Sequence, residues 1–115
     1  MKTIKEIVHR DILDNLLKIP YFEALDVKEF EAEKKVGNET VTERGTRYDV
    51  EVPTGNGAYS RLRFAIKVVG EKPVIKEAEC DEGVYIKPTN LAVSFLNLQN
   101  PPALYCTAES VEVMS

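Results

Sequence analysis

The stretch Arg61-Leu62-Arg63-Phe64-Ala65-Ile66-Lys67-Val68 decides how the rest of this chain is read. Leu62, Phe64, Ile66 and Val68 alternate with Arg61, Arg63, Ala65 and Lys67. Successive side chains of a strand point to opposite faces, so this pattern predicts a half-buried strand with one apolar and one cationic face. Just upstream, residues 40–52 keep the same period, with Tyr48, Val50 and Val52 on one side and Arg47, Asp49 and Glu51 on the other. Between the two lies Pro53-Thr54-Gly55-Asn56-Gly57, which holds the residue types that turns with positive φ demand, so a hairpin is predicted. Farther upstream, residues 25–36 read as a first strand. Leu25 and Val27 there occupy one parity and Phe30 and Ala32 the other, as a bulge produces, and Gly37-Asn38 marks the turn that follows.

Downstream, residues 70–83 are polar and interrupted by Pro73, which predicts a long connection with a short strand at 74–75. Residues 84–86, 91–98 and 103–113 supply further strands, the last two joined by Asn100-Pro101-Pro102. The run Leu91-Ala92-Val93-Ser94-Phe95-Leu96 is apolar on both parities and therefore predicts a central strand covered on both faces.

A different period occupies the N-terminus. Thr3 and Glu6 have capping-box spacing, and Ile4, Ile7, Val8, Ile12, Leu16 and Ile19 recur at helical intervals until Pro20. An amphipathic helix of about 15 residues is marginal alone in water, so it must pack on the chain's own sheet or on a partner chain. About five strands and one helix predict an α+β, mainly β protein: a small antiparallel barrel or strongly curved sheet at 24–115, with the helix of residues 1–20 packed on it. A chain of 115 residues suits a single domain, 1–115.

Composition narrows the function. The chain has 15 Lys and Arg against 19 Asp and Glu, a net charge of −4, which does not announce a nucleic-acid binder. The charges are unevenly placed. Across 61–76, Arg61, Arg63, Lys67, Lys72 and Lys76 stand against Glu71 alone; Glu77, Glu79, Asp81 and Glu82 follow; and no Lys or Arg occurs after Lys87. A cationic strand face can track a phosphate backbone, and Tyr59 and Tyr85 offer rings for base stacking, a combination that suits single-stranded nucleic acid. The same pattern also describes an ordinary solvated sheet face whose cations pair with cross-strand carboxylates, for which Asp49 and Glu51 are the natural partners. Tyr48 and Phe64 alternate with the apolar set and are expected in the core.

Catalytic and metal chemistry find little material. His9 is the only imidazole, with no partner tied to it by motif, and no phosphate-loop or dinucleotide-binding glycine pattern occurs. Cys80 and Cys106 lack CxxC spacing, so two reduced thiols are expected, with Cys106 a buried hydrophobe and Cys80 held protonated by its acidic neighbours. The protein is expected to be no enzyme, to need no metal or cofactor, to have no contact with membrane, and to be cytoplasmic, since no apolar run approaches a membrane span.

The segment 83–99, with Val93-Ser94-Phe95 as a "V-x-F" strand, and the closing pattern Ala108, Ser110, Val111 resemble the last strands of small OB-fold proteins encoded by phages and conjugative elements. Arg47-Tyr48-Asp49-Val50 and residues 61–68 are similar to strands of the YdcP-like family of conjugative elements, and the likeness spans about residues 45–113. The resemblance implies a five-stranded OB-like barrel. It also implies a non-catalytic accessory protein of mobile-element replication or transfer that coats single-stranded DNA or aids a helicase. The DNA-binding residues expected on this reading are Arg61, Arg63, Lys67, Tyr59, Tyr85 and Lys87. The alternative is a protein-interaction or homo-oligomerisation module. In that case a replication-protein partner or a second copy meets the N-terminal helix, and the apolar run 91–98 and the Pro101-Pro102 corner lie at the interface.

Overall fold

The computed structural model describes residues 15–97 and 103–114. Its strands are β1 (Phe22–Val36), β2 (Glu39–Glu51), β3 (Arg63–Val69), β4 (Val84–Thr89), β5 (Ala92–Asn97), β6 (Ala103–Thr107) and β7 (Ser110–Met114), with one short helix, α1 (Glu77–Cys80). They form one sheet in the order β5-β6-β3-β2-β1-β4-β7. All paired neighbours are antiparallel except β3 and β6, which run parallel.

The protein is thus mainly β, but the expected five-stranded barrel is replaced by an open seven-stranded sheet. The difference arises at 103–113, predicted as one strand. Ala108 N–H donates to Lys67 O on β3, and the next residue, Glu109, donates to Thr89 O on β4. Within one peptide unit the chain leaves one limb of the sheet for the other, which makes two strands of the segment expected to be one, and the apolar parity changes with it from Leu104 and Cys106 to Val111. The sheet curls around the core as a result, and Leu104 and Cys106 of β6 share a single apolar cluster with Val111 of β7.

The expected N-terminal helix falls mostly on residues 1–14, outside the described residues, and with it His9. Of its described end, Leu16–Lys18 form one 3-10 turn rather than an α-helical one, and Leu16 is buried in the core.

The concave side is lined by the apolar parity of each strand: Phe22, Ala24 and Val27 from β1, Tyr48 and Val50 from β2, Phe64, Ile66 and Val68 from β3, and Ile86 from β4. Tyr48 and Phe64 are therefore core, as expected. A bulge is present in β1, where the register shifts between Ala24 and Asp26, so that Ala24 and Val27 face the same side despite their opposite parity. It leaves Phe30 on the convex side, opposite Gly45.

Beyond the end of β3, β1 and β2 continue alone as an exposed two-stranded arm, from Glu31 paired with Arg44 to Val36 paired with Glu39. Its two-residue turn places positive φ on Gly37, the first central position, where a type II′ hairpin needs glycine.

The run 91–98 is not a central strand. β5 is an edge: Val93 and Leu96 pack against the core, while Phe95 is 52% exposed. Its second apolar parity belongs to the surface.

The connection after β3 is long, as predicted, but holds no strand at 74–75. Three hydrogen bonds tie it to β2: Gly70 N–H to Arg44 O at 2.7 Å, Thr46 Oγ1 to Glu71 O at 2.8 Å, and Val74 N–H to Tyr48 Oη at 3.1 Å. Ile75 then inserts into the core. Tyr48→Phe removes only the last acceptor and is expected to cost about 1 kcal/mol. Amide exchange checks this: Val74 N–H should exchange faster in the variant, while the β2–β3 ladder keeps its protection.

Candidate interaction face

The convex side carries the polar parity of the strands in lateral rows set by register. One row joins Asp26, Asp49, Ala65, Tyr105 and Phe95 across β1, β2, β3, β6 and β5. The next joins Lys28, Arg47, Lys67, Thr107 and Ala92. Like charges placed directly opposite repel, so the cation row needs its flanking acids. Lys28 Nζ lies 3.6 Å from Asp26, Arg47 Nη2 lies 3.2 Å from Asp49, and Lys67 contacts the Glu43 carboxylate.

Two of these cations also cover rings. Arg47 stands 5.6 Å from the centroid of Tyr105, and Lys67 4.9 Å from that of Phe30. Tyr105 in turn meets Phe95 at 5.8 Å, the planes tilted by 48°. Between Phe30 and Tyr105, with Ala65 as a small floor, lies a hollow of about 290 Å³ rimmed by Arg47 and Lys67. Phe95 and Tyr105 are both exposed.

The residues expected to bind DNA do not converge on this hollow. Arg61, at φ 68°, and Arg63 aim at the two oxygens of one carboxylate, Glu51, at 3.4 and 3.2 Å. Glu51 is itself buried at the sheet surface, and the two guanidinium groups are largely exposed. Tyr59 sits half-buried against the core in the turn before β3. Tyr85 and Lys87 lie on β4, separated from β3 by β1 and β2, a lateral span of roughly 14 Å. Tyr85 stacks edge-on with Tyr21 at 5.5 Å, and Lys87 pairs across the ladder with Glu112. Only Lys67 borders the hollow.

The local cation excess of 61–76 is likewise dispersed. Lys72 lies beside Glu29, Glu31 and Arg44 at the arm, and Lys76 precedes α1, where its N–H donates to Glu79 Oε1 at 3.0 Å. The cross-strand reading of Arg63 with Glu51 is the arrangement found.

Arg47, Phe30 and Tyr105 were not expected at a site, whereas Phe95 lies in the run 91–98 that the interaction-module alternative places at an interface. Arg47 shares the polar parity of Asp49 and could have been placed opposite Lys67 once the hairpin register was known. Tyr105 reaches β3 only through a parallel pairing that links distant segments, and no local pattern signals it.

The Lys67 hydrogen bond and charge hold the Glu43 carboxyl below its ordinary value of 4.5, against a smaller opposing effect of burial. A carboxyl whose pKa is lower folded than unfolded adds stability above its unfolded pKa, and that stability is lost as pH falls through the folded one. Acid titration of stability should therefore be flatter below pH 4.5 in Glu43→Gln than in the parent chain, when both are followed by denaturant unfolding.

The thiols offer no nucleophile. Burial pushes Cys106 up to about 12, and burial followed by the carboxylates of Asp26, Asp81, Glu77 and Glu79 raises Cys80. Among the described residues no group of His, Cys, Asp or Glu is arranged to hold a metal ion, and no helix is long and apolar enough to cross a membrane. No family model, curated protein or solved structure matches the chain.

Proposed function

We propose that this protein is a non-catalytic interaction module that docks another protein chain on β5 and the adjoining Phe95–Tyr105 surface. One observation carries the reading: an edge strand with no described neighbour on its outer side lies in residues 88–108, which contain no charged side chain, beside two exposed aromatic rings. Interface centres are depleted in charge and enriched in aromatic residues. Main-chain groups on an open sheet edge supply affinity to an added strand. Photo-crosslinking tests this in cells that express the chain, with benzoylphenylalanine at position 95 and, as control, at position 87. A protein adduct at 95 and none at 87 is the expected result; no protein adduct at 95 would refute the reading.

Single-stranded DNA binding, with the mobile-element role that the resemblance implies, is the second reading. What favours it is Arg47 over Tyr105 beside Phe95, since a guanidinium and two rings can hold stacked bases. The site residues on this reading are Arg47, Tyr105, Phe95 and Lys67. The acids paired with each cation weigh against it. Fluorescence anisotropy with a labelled oligonucleotide should give binding that weakens with salt and is lost in Tyr105→Ala. No binding at low salt removes this reading.

A further inference from the structure

The hollow on the convex side differs in chemistry from the surface around it. Phe30 and Tyr105 form its walls, Ala65 its floor, and Ser94 also lines it. Among the described residues of the lining two are cations, Arg47 and Lys67, and none is an acid. Those cations are direct cross-strand partners on β2 and β3, a placement of like charges that repels unless anions stand close. Asp49 and Glu43 supply them, but neither lines the hollow. Arg47 directs Nε and Nη2 to a single oxygen of Asp49, both at 3.2 Å, in a pair open to solvent. Exposed pairs contribute little, so the guanidinium can turn to a second carboxylate at small cost. An ammonium has three donors, so Lys67 can hold Glu43 and still donate to another anion.

We infer that the hollow binds a small aryl carboxylate, its ring between Phe30 and Tyr105 and its carboxylate against Arg47 and Lys67. The lining selects both halves of that ligand. Two cations without an acid attract an anion and repel an amine. Two rings above the single methyl group of Ala65 favour a flat aromatic group, which gains offset or edge-on contacts with them. The volume of about 290 Å³ lies at the small end of ligand pockets and suits one ring with a short acid arm better than a whole nucleotide. The outer edge of β5 takes no part, so this site is independent of the docking reading.

An amide NMR titration of the chain with phenylacetate, acetate and benzylamine tests this. Phenylacetate should shift the amides of Ala65, Ser94 and Tyr105, with half-saturation at roughly 0.1–3 mM for so small a ligand. Acetate, which lacks the ring, and benzylamine, which carries the opposite charge, should each need a roughly tenfold higher concentration or more. Arg47→Gln and Tyr105→Leu should each weaken phenylacetate binding about fivefold or more with unchanged circular dichroism. Arg63→Gln, whose guanidinium pairs with Glu51 and does not line the hollow, should bind like the parent. If Tyr105→Leu fails to fold, Arg47→Gln decides. No shift of those amides by roughly 20 mM phenylacetate overturns the inference, as does equal binding of benzylamine or unchanged affinity in Arg47→Gln. Thymidine monophosphate separates this site from the DNA reading: tighter binding of the nucleotide than of phenylacetate overturns the aryl-acid assignment. The docking reading stands or falls on the crosslink at position 95 alone.

Discussion

Phe22→Ala is expected to lower stability by about 4 kcal/mol. The side chain is fully buried at the start of β1, and its ring meets Phe64 edge-on at 5.1 Å with planes at 90°. It also sits where β1 pairs with β4, opposite Ile86, at the point where the curl of the sheet brings its two limbs over one core. The loss combines the transfer of a large apolar side chain with a cavity that a sheet bonded on both sides cannot close. Against a total of 5–15 kcal/mol for a domain of this kind, the variant should unfold at roughly 15 °C or more below the parent. Urea unfolding and a thermal melt measure it. A loss under about 1 kcal/mol would mean that β1 does not begin in the core as described.

Gly45→Ala should cost about 3 kcal/mol, at the upper end for overpacking, although it adds a single methyl group. A Cβ built on Gly45 would stand 2.1 Å from the backbone oxygen of Val68 and 2.9 Å from both the Phe30 ring and Val69 Cα. The ring could turn aside, but the β3 backbone could not move without breaking the β2–β3 ladder. Glycine is needed here for close approach rather than for an unusual φ. The substitution has a functional consequence as well. Phe30 covers the backbone of Gly45 and forms one wall of the hollow that Tyr105 closes on the other side. A structure of the variant should show Phe30 displaced and the hollow altered, even where the chain still folds at low temperature. Unfolding by denaturant gives the magnitude, and an unchanged midpoint would contradict the close packing at this position.

Much of the central sheet was legible because its signals are local. Strand alternation at 61–68 and 40–52, the hairpin turn between them and the turn at Gly37-Asn38 signalled β1, β2 and β3 and the β2–β3 hairpin, although β3 begins at Arg63 and not at Arg61, whose φ is 68°. The same alternation identified Tyr48, Phe64, Ile66 and Val68 as core. Cys106 was likewise legible as a buried thiol from its apolar neighbours. Parity within one hairpin also anticipated that Arg63 would find Glu51.

The errors share one origin. Period-2 patterning tells which side chains lie together on one face of a strand but not which strand lies alongside it. Leu91–Leu96 is apolar on both parities, the signature of a strand sandwiched in the centre, yet the sheet order puts it last, with Phe95 in solvent. Residues 103–113 were read as one strand, although the buried parity changes from Leu104 and Cys106 to Val111 and the chain changes neighbours between Ala108 and Glu109. The cations of 61–76 are close in sequence, but their strand ends at Val69, and Lys72 and Lys76 depart along a separate connection.

The amino-acid sequence alone determined that this is a mainly β protein with a hairpin core, an acidic total charge and a C-terminal region empty of basic residues, because composition and two-residue periodicity are properties of neighbouring positions. Tertiary structure alone decided that Lys67 would meet Glu43, that Arg47 would lie over Tyr105, and that an uncharged strand would be left at an edge with no described neighbour on its outer side. Those outcomes depend on sheet order and on the parallel joining of β3 to β6, contacts between segments some forty residues apart. No local preference encodes such pairings; they follow from which arrangement buries Phe22, Tyr48, Ile66, Ile86 and Cys106 in one core.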